Sequence, residues 1–394
     1  MSINQPLSSH TAALQLPPLS LYVHIPWCVQ KCPYCDFNSH AQPEVIPEQQ
    51  YIACLLDDLD ADLHFVQGRK LVSIFIGGGT PSLFSAAGIE RLLQEIEKRI
   101  PFHETIEITL EANPGTFETE RFAGFAAAGV NRLSIGVQSL QAQQLQRLGR
   151  IHNPQQAQTA AEHASTLPLK SFNLDLMHGL PQQTLASAMA DLEGIIALKP
   201  PHISWYQLTI EPNTMFASKP PVLPNDDVLW EIYEQGHLRL AAAGYEQYEV
   251  SAYGKPGHRG QHNLNYWRFG DYLGIGCGAH GKITLPEQAQ IVRTEKVKHP
   301  RGYLDLTRSY TNRQWQVSAS ERTFEYFMNR LRLLEPVPKH EFVTYTGLPL
   351  ERAETALADA IAKGFITSTS SHWQTSATGR LYLNQVLADL LEDE

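Results

Sequence analysis

The chain has 394 residues, of which 43% are hydrophobic and 18% charged, and its formal net charge is −10. That length predicts two or three domains with a large buried core. The acidic balance argues against nucleic acid as the main partner, and no apolar run approaches the roughly 20 residues that span a bilayer. The five cysteines, three of them clustered, do not form a disulfide framework, which predicts a reducing compartment, the cytoplasm.

The chain begins with a segment that predicts no regular structure. Residues 1–19 have neither the basic start nor the apolar core of a signal peptide, so we expect a disordered lead-in. From residue 20 to residue 210, strand patterns alternate with helical patterns. The six apolar strand segments are 20–25, 71–76, 105–110, 132–137, 171–176 and 202–208. The helical segments between them are 48–65, 86–99, 118–128, 141–148, 154–166 and 184–198.

This alternation predicts the fold class of residues 20–210. Near-continuous apolar strands separated by helices are typical of parallel β/α units whose strands are buried on both faces. Six units are too few to close an eight-unit barrel. The sequence therefore predicts an α/β fold, an open, partial (β/α)6 barrel.

The alternation stops after residue 210, and the rest of the chain is predicted to be an α+β region. Residues 211–315 are interpreted as an extension with a Pro-rich connector over 212–224, a helix over 226–243, a strand over 245–253 and a Gly- and aromatic-rich loop over 258–281. Residues 316–394 are predicted to form a small winged-helix-like domain, with helices at 320–335 and 350–363 and a turn-linked strand pair over 364–384.

Three cysteines follow the first predicted strand at the spacing Cys28-x-x-x-Cys32-x-x-Cys35. Thiolate clusters suit zinc or iron–sulfur centres. A structural zinc site takes four ligands, and no fourth Cys or paired His stands at the spacing of a zinc ribbon or finger. Cubane clusters are normally held by four cysteines, so three would leave one iron open to an exchangeable ligand. A zinc knot or three unrelated thiols is the alternative.

Several polar or glycine-rich positions stand where the predicted strands end. Residues 77–81, GGGTP, follow the second strand, and Glu111, Gln138 and Asp175 mark the next three strands. In parallel β/α folds the chemistry gathers at the carboxyl ends of the strands. Three glycines permit close backbone approach to a ligand, although a tight turn alone would also explain them. Each polar residue taken singly could be an ordinary surface or core group.

The cysteine spacing, with Tyr34 just before the last cysteine, resembles the radical S-adenosylmethionine (SAM) superfamily. The resemblance implies a [4Fe–4S] cluster on the three cysteines, with SAM chelating the fourth iron and being cleaved to a deoxyadenosyl radical. It also implies that the GGGTP segment binds the SAM amino group and that Glu111 accepts hydrogen bonds from the ribose. The residues assigned to SAM in this way are Tyr22, Tyr34, Gly78, Gly79, Thr80, Glu111, Gln138, Arg150 and Asp175.

Within that superfamily, residues 20–210 resemble the oxygen-independent coproporphyrinogen dehydrogenases, in which Gln138, Arg150 and Asp175 would contact a second SAM. The chain departs from them at Phe37, where those enzymes carry a further cysteine, and in lacking their longer N-terminal extension. Both departures are features of the HemW-type haem chaperones, which the chain resembles nearly end to end. That resemblance implies haem binding and delivery to respiratory proteins, without dehydrogenase activity.

The segment His262-Asn263-x-x-Tyr266-Trp267 is also typical of the HemW-type chaperones. Imidazole is a common axial ligand of haem, and aromatic surroundings suit a porphyrin plane. The resemblance therefore makes His262, Tyr266 and Trp267 candidate haem contacts. The alternative is a structural loop in which the two aromatic side chains fill core and His262 makes a hydrogen bond. His24 is interpreted as a packing group beside the cluster.

The sequence thus predicts a radical-SAM-type haem chaperone, with a [4Fe–4S] cluster and SAM as cofactors and haem as cargo. The expected partners are haem-accepting respiratory proteins and an electron donor for the cluster, with no nucleic acid. Peripheral membrane association stays open, and so does the choice between monomer and dimer. The rival hypothesis is a coproporphyrinogen dehydrogenase or another porphyrin-modifying radical enzyme, because the residues assigned to SAM are intact.

Overall fold

The computed structural model describes residues 13–305, 307 and 309–391. Its strands are β1 Leu19–Ile25, β2 Trp27–Cys28, β3 His40–Ala41, β4 Leu71–Gly78, β5 Phe102–Ala112, β6 Arg132–Gln138, β7 Ser171–His178, β8 His202–Gln207, β9 Glu246–Glu249, β10 Ala252–Gly254, β11 Asp271–Gly276, β12 His280–Leu285, β13 Gln290–Lys296, β14 Thr311–Gln316, β15 Val337–Pro338, β16 Ile366–Ser368 and β17 His372–Thr375.

The helices alternate with the first strands and then dominate the C-terminal part. They are α1 Glu48–Asp62, α2 Ala86–Arg99, α3 Thr116–Thr119, α4 Phe122–Ala127, α5 Ala142–Arg147, α6 Pro154–Thr166, α7 Leu185–Ala197, α8 Met215–Ser218, α9 Asp226–Ala242, α10 Gln261–Trp267, α11 Pro300–Tyr303, α12 Ala319–Arg330, α13 Lys339–Thr346, α14 Leu350–Ala362, α15 Ala377–Leu381 and α16 Leu383–Asp389. Within the described ranges, none of these helices is both long and apolar enough to cross a bilayer.

Twelve of the described strands form one open sheet, in the order β14-β13-β12-β11-β1-β4-β5-β6-β7-β8-β10-β9. The six strands β1, β4, β5, β6, β7 and β8 pair in parallel and in chain order. Their inward side chains are buried almost without interruption, as in β1, where Leu19, Leu21, Val23 and Ile25 are all solvent-inaccessible. The predicted partial (β/α)6 barrel is therefore confirmed, and the sheet stays open.

Local signals explain where the barrel helices begin. Asn153 caps α6 by accepting a hydrogen bond from the backbone N–H of Gln156, whose side chain returns a bond to the Asn153 backbone. Pro154 at the first helical position is compatible with this start, because its missing N–H would have had no partner there. Ser85 caps α2 through the N–H of Gly88 and also donates to Glu48 on α1, which ties two successive helices together.

The sheet does not end near residue 210, as the predicted division into barrel and extension implied. β11 lies beside β1 in parallel, and β12, β13 and β14 continue from it antiparallel. The predicted loop over 258–281 is therefore wrong, since it contains α10 and β11. Its glycines permit strand packing: a Cβ on Gly274 would lie 1.9 Å from the carbonyl oxygen of His280. The single strand expected over 245–253 is the antiparallel pair β9 and β10.

The start of the described chain also differs from the expected lead-in. Leu14 is only 5% exposed and packs into the C-terminal core, and the N–H of Gln15 donates to the Thr344 oxygen at 3.1 Å. Residues 13–19 are therefore bound to the fold, because one apolar side chain finds a buried position there. The remainder of the expected lead-in, residues 1–12, lies outside the described residues.

The C-terminal part has its own core. Phe327, Phe342 and Trp373 pack together, with the rings of Phe327 and Phe342 stacked at 5.6 Å between centroids. The small sheet β15-β17-β16 lies against α13 and α14. The helices α13 and α14 are followed by the β16–β17 hairpin, as in the predicted winged-helix-like unit. The strand pair expected over 364–384 is too long, because β17 ends at Thr375 and α15 and α16 follow it.

Candidate functional site

The carboxyl ends of the parallel strands surround a cavity of about 460 Å³, which we call the first cavity. It brings together all three clustered cysteines and eight of the nine residues assigned to SAM. These residues are Cys28, Cys32, Cys35, Tyr34, Gly78, Gly79, Thr80, Glu111, Gln138, Arg150 and Asp175. The exception, Tyr22, lines a neighbouring cavity instead.

The cysteine loop is held in shape by backbone bonds at both of its ends. The short strands β2 and β3 pair in parallel, and the N–H of Cys35 donates to the oxygen of Cys32 at 3.2 Å. All three thiols are free, and burial raises the pKa of Cys28 and Cys35. Among the described residues no three His, Cys, Asp or Glu side chains converge on one metal ion. A cubane does not require that, because each thiolate binds a different iron.

The GGGTP turn after β4 fits closely against the start of the cysteine loop. The N–H of Gly79 donates to the Ile25 oxygen at 2.7 Å, and the N–H of Thr80 donates to the Trp27 oxygen at 2.8 Å. Gly78 has φ +111°, and a Cβ there would lie 2.5 Å from the His24 ring. The turn therefore needs glycine for its own packing, in addition to any backbone approach to a ligand.

Two carboxyl groups lie on the floor of the first cavity. Glu111 accepts a hydrogen bond from the Gly78 N–H at 3.0 Å, and Asp175 accepts from Asn173 at 2.8 Å and from Ser134 at 3.3 Å. Burial, and secondly the nearby charge of Asp175, raise the pKa of Glu111 to about 7. Burial also raises the pKa of Asp175. The floor thus holds two acceptors whose negative charge a cationic ligand would stabilise.

Arg150 joins this floor to the cysteine loop. Its Nη2 donates to Asn113 Oδ1 at 2.6 Å and to the Gly136 oxygen at 2.8 Å, and its Nη1 lies 3.7 Å from the Sγ of Cys32. Its buried Nε has no partner among the described residues. The guanidinium thus places a positive charge at the wall of the first cavity, which favours an anionic ligand group there.

Gln138 is held in an unusual conformation at the end of β6. Its φ of 69° lies in the left-handed region that non-glycine residues rarely adopt. The hydroxyl of Tyr206 donates to its Oε1 at 2.8 Å. Such strain persists when the surroundings fix it, and it is concentrated at ligand sites.

The sequence interpretation missed several residues that line the same cavity. They are Asn113, Ser134, Ser204 and Tyr206. Ser134 stands two and four residues before Gly136 and Gln138 on β6, and Ser204 precedes Tyr206 by two residues on β8. Since alternate side chains of a strand share a face, counting back from the strand ends would have found these three, whereas Asn113 follows the end of β5.

A second cavity of about 730 Å³ adjoins the first and shares Cys35, Phe37, Gly78 and Glu111 with it. Tyr22 lies on its wall, with its hydroxyl 3.0 Å from Nδ1 of His24. The opposite ring nitrogen of His24 lies 2.9 Å from the Asn38 oxygen. His24 therefore lies between the cluster loop and the second cavity, in the place expected for a packing group beside the cluster.

The three candidate haem contacts in α10 point in different directions. Tyr266 lines the second cavity. His262 is 1% exposed, with Nδ1 2.9 Å from the Ser73 hydroxyl and Nε2 2.8 Å from the Tyr266 hydroxyl. Trp267 packs away from the cavity, under the guanidinium of Arg332 at 4.4 Å.

This geometry matters for the expected axial ligand. Both ring nitrogens of His262 already have partners, so binding an iron would first require those hydrogen bonds to open. Burial lowers the pKa of His262 to about 3, which keeps the ring neutral. Axial ligation by His262 therefore stays a prediction. In the described conformation both of its ring nitrogens are engaged by the Ser73 and Tyr266 hydroxyls. Only Tyr266 of the three reaches a cavity wall.

Comparison with known proteins places this site in a family. A family model described as "Radical SAM superfamily" matches residues 22–193, and one described as "HemN C-terminal domain" matches residues 317–382. The chain is 58% identical to "Heme chaperone HemW" of Escherichia coli, covering 95% of this chain and 98% of that protein. It is 60% identical to "Heme chaperone HemW" of Haemophilus influenzae, over 96% and 100% of the two chains. The chain belongs to the HemW family of radical SAM proteins.

The fold of the family is also found in a solved structure. The coproporphyrinogen III oxidase HemN of Escherichia coli, described as a radical SAM enzyme, matches with a TM-score of 0.80 over 96% of this chain and 91% of that one. The two sequences are 23% identical, so this likeness concerns the fold alone. It includes the strands after residue 210 as well as the partial barrel, because the match extends over nearly the whole chain.

Proposed function

We propose that this protein is a cytoplasmic haem chaperone that holds a [4Fe–4S] cluster and SAM and delivers haem to haem-accepting respiratory proteins. The observation that carries the proposal is the 58% and 60% identity, over at least 95% of this chain, to two proteins named heme chaperones. Phe37, at the boundary of the two cavities, supports it, because the related dehydrogenases have a cysteine at that position.

The chain's own residues fit the two cofactors. Cys28, Cys32 and Cys35 would hold the cluster, which when bound supplies single electrons for SAM chemistry. The GGGTP turn would lie against the SAM amino group, and Glu111 would accept hydrogen bonds from the ribose. Arg150, whose guanidinium lines the first cavity, would orient an anionic group of the ligand. An electron donor for the cluster is the implied protein partner.

For haem, the sequence assigns His262, Tyr266 and Trp267, and we keep Tyr266 as a wall contact because it lines the second cavity. In the described conformation the other two would act indirectly: His262 fixes the Tyr266 hydroxyl, and Trp267 packs the far side of α10. Haem would then be carried next to the cluster. The two cavities share Cys35 and Glu111, so the haem would lie close to both the cluster and SAM.

The second candidate function is a coproporphyrinogen dehydrogenase. It is favoured by one observation: Gln138, Arg150 and Asp175, which the resemblance assigns to a second SAM, all line the first cavity. The two functions predict different chemistry. A dehydrogenase converts coproporphyrinogen and consumes SAM under anaerobic conditions, whereas a chaperone binds haem stoichiometrically.

The test uses the full chain after anaerobic reconstitution. We expect a stoichiometric haem complex and no coproporphyrinogen turnover above background SAM cleavage. We also expect Glu111→Ala to weaken SAM binding by about 1.5–3 kcal/mol, the range for hydrogen bonds to a charged group. Robust product formation would replace the chaperone function with the dehydrogenase. Failure of the wild-type protein to bind haem would remove the chaperone function.

A further inference from the structure

The second cavity has the size and position of a site for haem itself, an inference that rests on the haem-chaperone function proposed above. Its volume of about 730 Å³ lies within the roughly 300–1,000 Å³ of sites for cofactor-sized ligands. It lies between the cysteine loop and the turn from β11 to β12, so it opens beside the cluster without occupying the first cavity.

Its walls carry aromatic rings. Tyr266 and Tyr272 pack edge-to-face, with their ring centroids 4.4 Å apart and their planes at 61°, and the Tyr22 ring stacks on Phe75 behind it at 6.3 Å. Phe37 is 58% exposed at the boundary with the first cavity, which is unusual for a large apolar side chain beside a polar site. Rigid aromatic surfaces of this kind suit the plane of a porphyrin.

Three imidazoles line this cavity, and they differ in what they already bind. His24 has both ring nitrogens engaged, with Tyr22 and with the Asn38 oxygen. His40 Nε2 lies 3.3 Å from Asn38 Oδ1. In the part of the chain that the structure describes, His280 has no hydrogen-bond partner, and its side chain is exposed at the cavity. His280 is therefore the imidazole that can bind an iron without breaking an existing contact.

The backbone that carries His280 is anchored to the cysteine loop. His280 is the first residue of β12, in register with Glu295 of β13. Asn38 Nδ2 donates to the oxygen of Cys277, three residues earlier, at 2.9 Å and to the oxygen of Lys298 at 2.8 Å. A ligand on a strand fixed by such contacts is held in place before haem arrives, which favours binding.

We propose that haem occupies the second cavity, with the imidazole of His280 as an axial ligand and one ring of the Tyr266–Tyr272 pair against the porphyrin plane. Lys31 and Lys298 also line the cavity, but the Lys31 ammonium already donates to the Phe37 and Ser39 oxygens and the Lys298 ammonium lies 3.1 Å from Glu295 Oε1. Two acidic residues, Asp36 and Glu111, face the same space. The charge of the wall therefore does not select haem, and the imidazole and the aromatic pair do.

In this arrangement His262 is a positioning residue. Its Nε2 fixes the Tyr266 hydroxyl at 2.8 Å, so its loss would move one wall of the site without removing an iron ligand. His262 and His280 thus have different expected signatures. Replacing His280 should change the ligand field of the iron, whereas replacing His262 should change affinity with little change in the spectrum.

The experiment is a titration of the reconstituted full chain with ferric haem, followed by the Soret band and by electron paramagnetic resonance. The variants are His280→Ala and His262→Ala, and the matched control is His103→Ala, an exposed histidine outside both cavities. We expect His280→Ala to lose the imidazole-ligated spectrum and to bind haem about tenfold or more weakly. Added free imidazole should restore the spectrum, and the cluster content should stay unchanged.

The possible outcomes separate this site from the function. An unchanged spectrum in His280→Ala, or its loss in His262→Ala alone, would overturn the assignment of His280 while leaving the chaperone function in place. A spectrum that changes but does not respond to free imidazole would also count against ligation by His280. Heat-denatured protein measures non-specific haem binding. If the folded wild-type protein binds haem no better than heat-denatured His103→Ala protein does, the chaperone function itself fails.

Discussion

The two cavities of this protein are neighbours, yet they are assembled in different ways. The first cavity lies at the ends of successive parallel strands, and β5, β6, β7 and β8 each contribute polar side chains, such as Glu111 from β5 or Asp175 from β7. The second is formed by segments far apart in the chain, with Tyr22 of β1 facing Tyr266 of α10 and His280 of β12. One site follows from a repeated local unit, and the other depends on long-range pairing.

This difference in assembly indicates which of the two cavities can change its ligand between proteins of the same fold. The residues of the first cavity stay with the parallel strands, which also build the core, so they are constrained by packing. The second cavity takes Tyr22, Gly78 and Glu111 from the parallel strands and adds segments that follow residue 210 and the tip of the cysteine loop, at Phe37 and Asn38. Related proteins can therefore keep the first site and change what the second one holds.

The largest expected effect tests the first cavity at its cluster. Replacing Cys28, Cys32 or Cys35 by Ser removes a thiolate that no neighbour can replace. Reconstituted wild-type protein should carry about four irons and four sulfides, and each variant should lose most of both. Cys54→Ser is the matched control, because Cys54 is a free cysteine buried on α1. A metal content of about one zinc per wild-type chain, with negligible iron, would contradict the cluster assignment.

The next effect separates conformational strain from ligand binding at the GGGTP turn. Gly78 and Gly129 have nearly the same φ, +111° and +109°, but a Cβ on Gly129 meets only Leu93 at 3.7 Å. We expect Gly78→Ala and Gly129→Ala each to lose about 1–2 kcal/mol of unfolding free energy from the left-handed backbone. Gly78→Ala should lose further unfolding free energy beyond this backbone cost, because its Cβ meets the His24 ring.

Calorimetry then measures the SAM affinity of the same two variants. Only Gly78→Ala should bind SAM about tenfold or more weakly, since only this turn lines the first cavity. Equal SAM affinities in the two variants would show that the turn is needed for folding alone. The wild-type protein, titrated under the same conditions, is the reference for both.

The third effect concerns the region of the second cavity. His262→Ala leaves the hydroxyls of Ser73 and Tyr266 without the buried ring, which should lower the unfolding free energy by about 1–3 kcal/mol. His103→Ala, at an exposed position, should change it by less than about 0.5 kcal/mol. Urea denaturation of both variants checks this, and equal midpoints would mean that the buried histidine contributes nothing to the fold.

The smallest effect is a pH dependence of the first cavity. The Glu111 pKa is raised from 4.5 to about 7, so the folded state favours the protonated carboxyl. Its contribution to stability is complete below pH 4.5 and is lost as the pH rises through 7. Relative to Glu111→Gln, the wild-type protein without SAM should therefore lose about 1–2 kcal/mol between these limits, after allowance for solvent in the cavity. Parallel urea-denaturation profiles from pH 4.5 to 8 would contradict the raised pKa.

Much of the first cavity could be predicted from the sequence because local pattern and global geometry agree there. An apolar strand followed by a glycine-rich or polar turn is visible in the sequence, and the carboxyl ends of parallel strands meet at one edge. Cys28, Gly78, Glu111 and Asp175 could be grouped on that basis. Ser134 and Tyr206 needed only the alternation of strand faces, which the interpretation did not follow far enough.

The sequence alone therefore determined the partial barrel, the cysteine loop and the strand-end residues of the first cavity. Only the tertiary structure decided that β11 lies beside β1, a pairing of segments about 250 residues apart that no local periodicity encodes. The packing of α10 against β4 likewise brought His262 to the Ser73 hydroxyl and Tyr266 to a cavity. A side chain's neighbours across such a distance depend on the register of the strands, and register is fixed by the packing of the whole sheet.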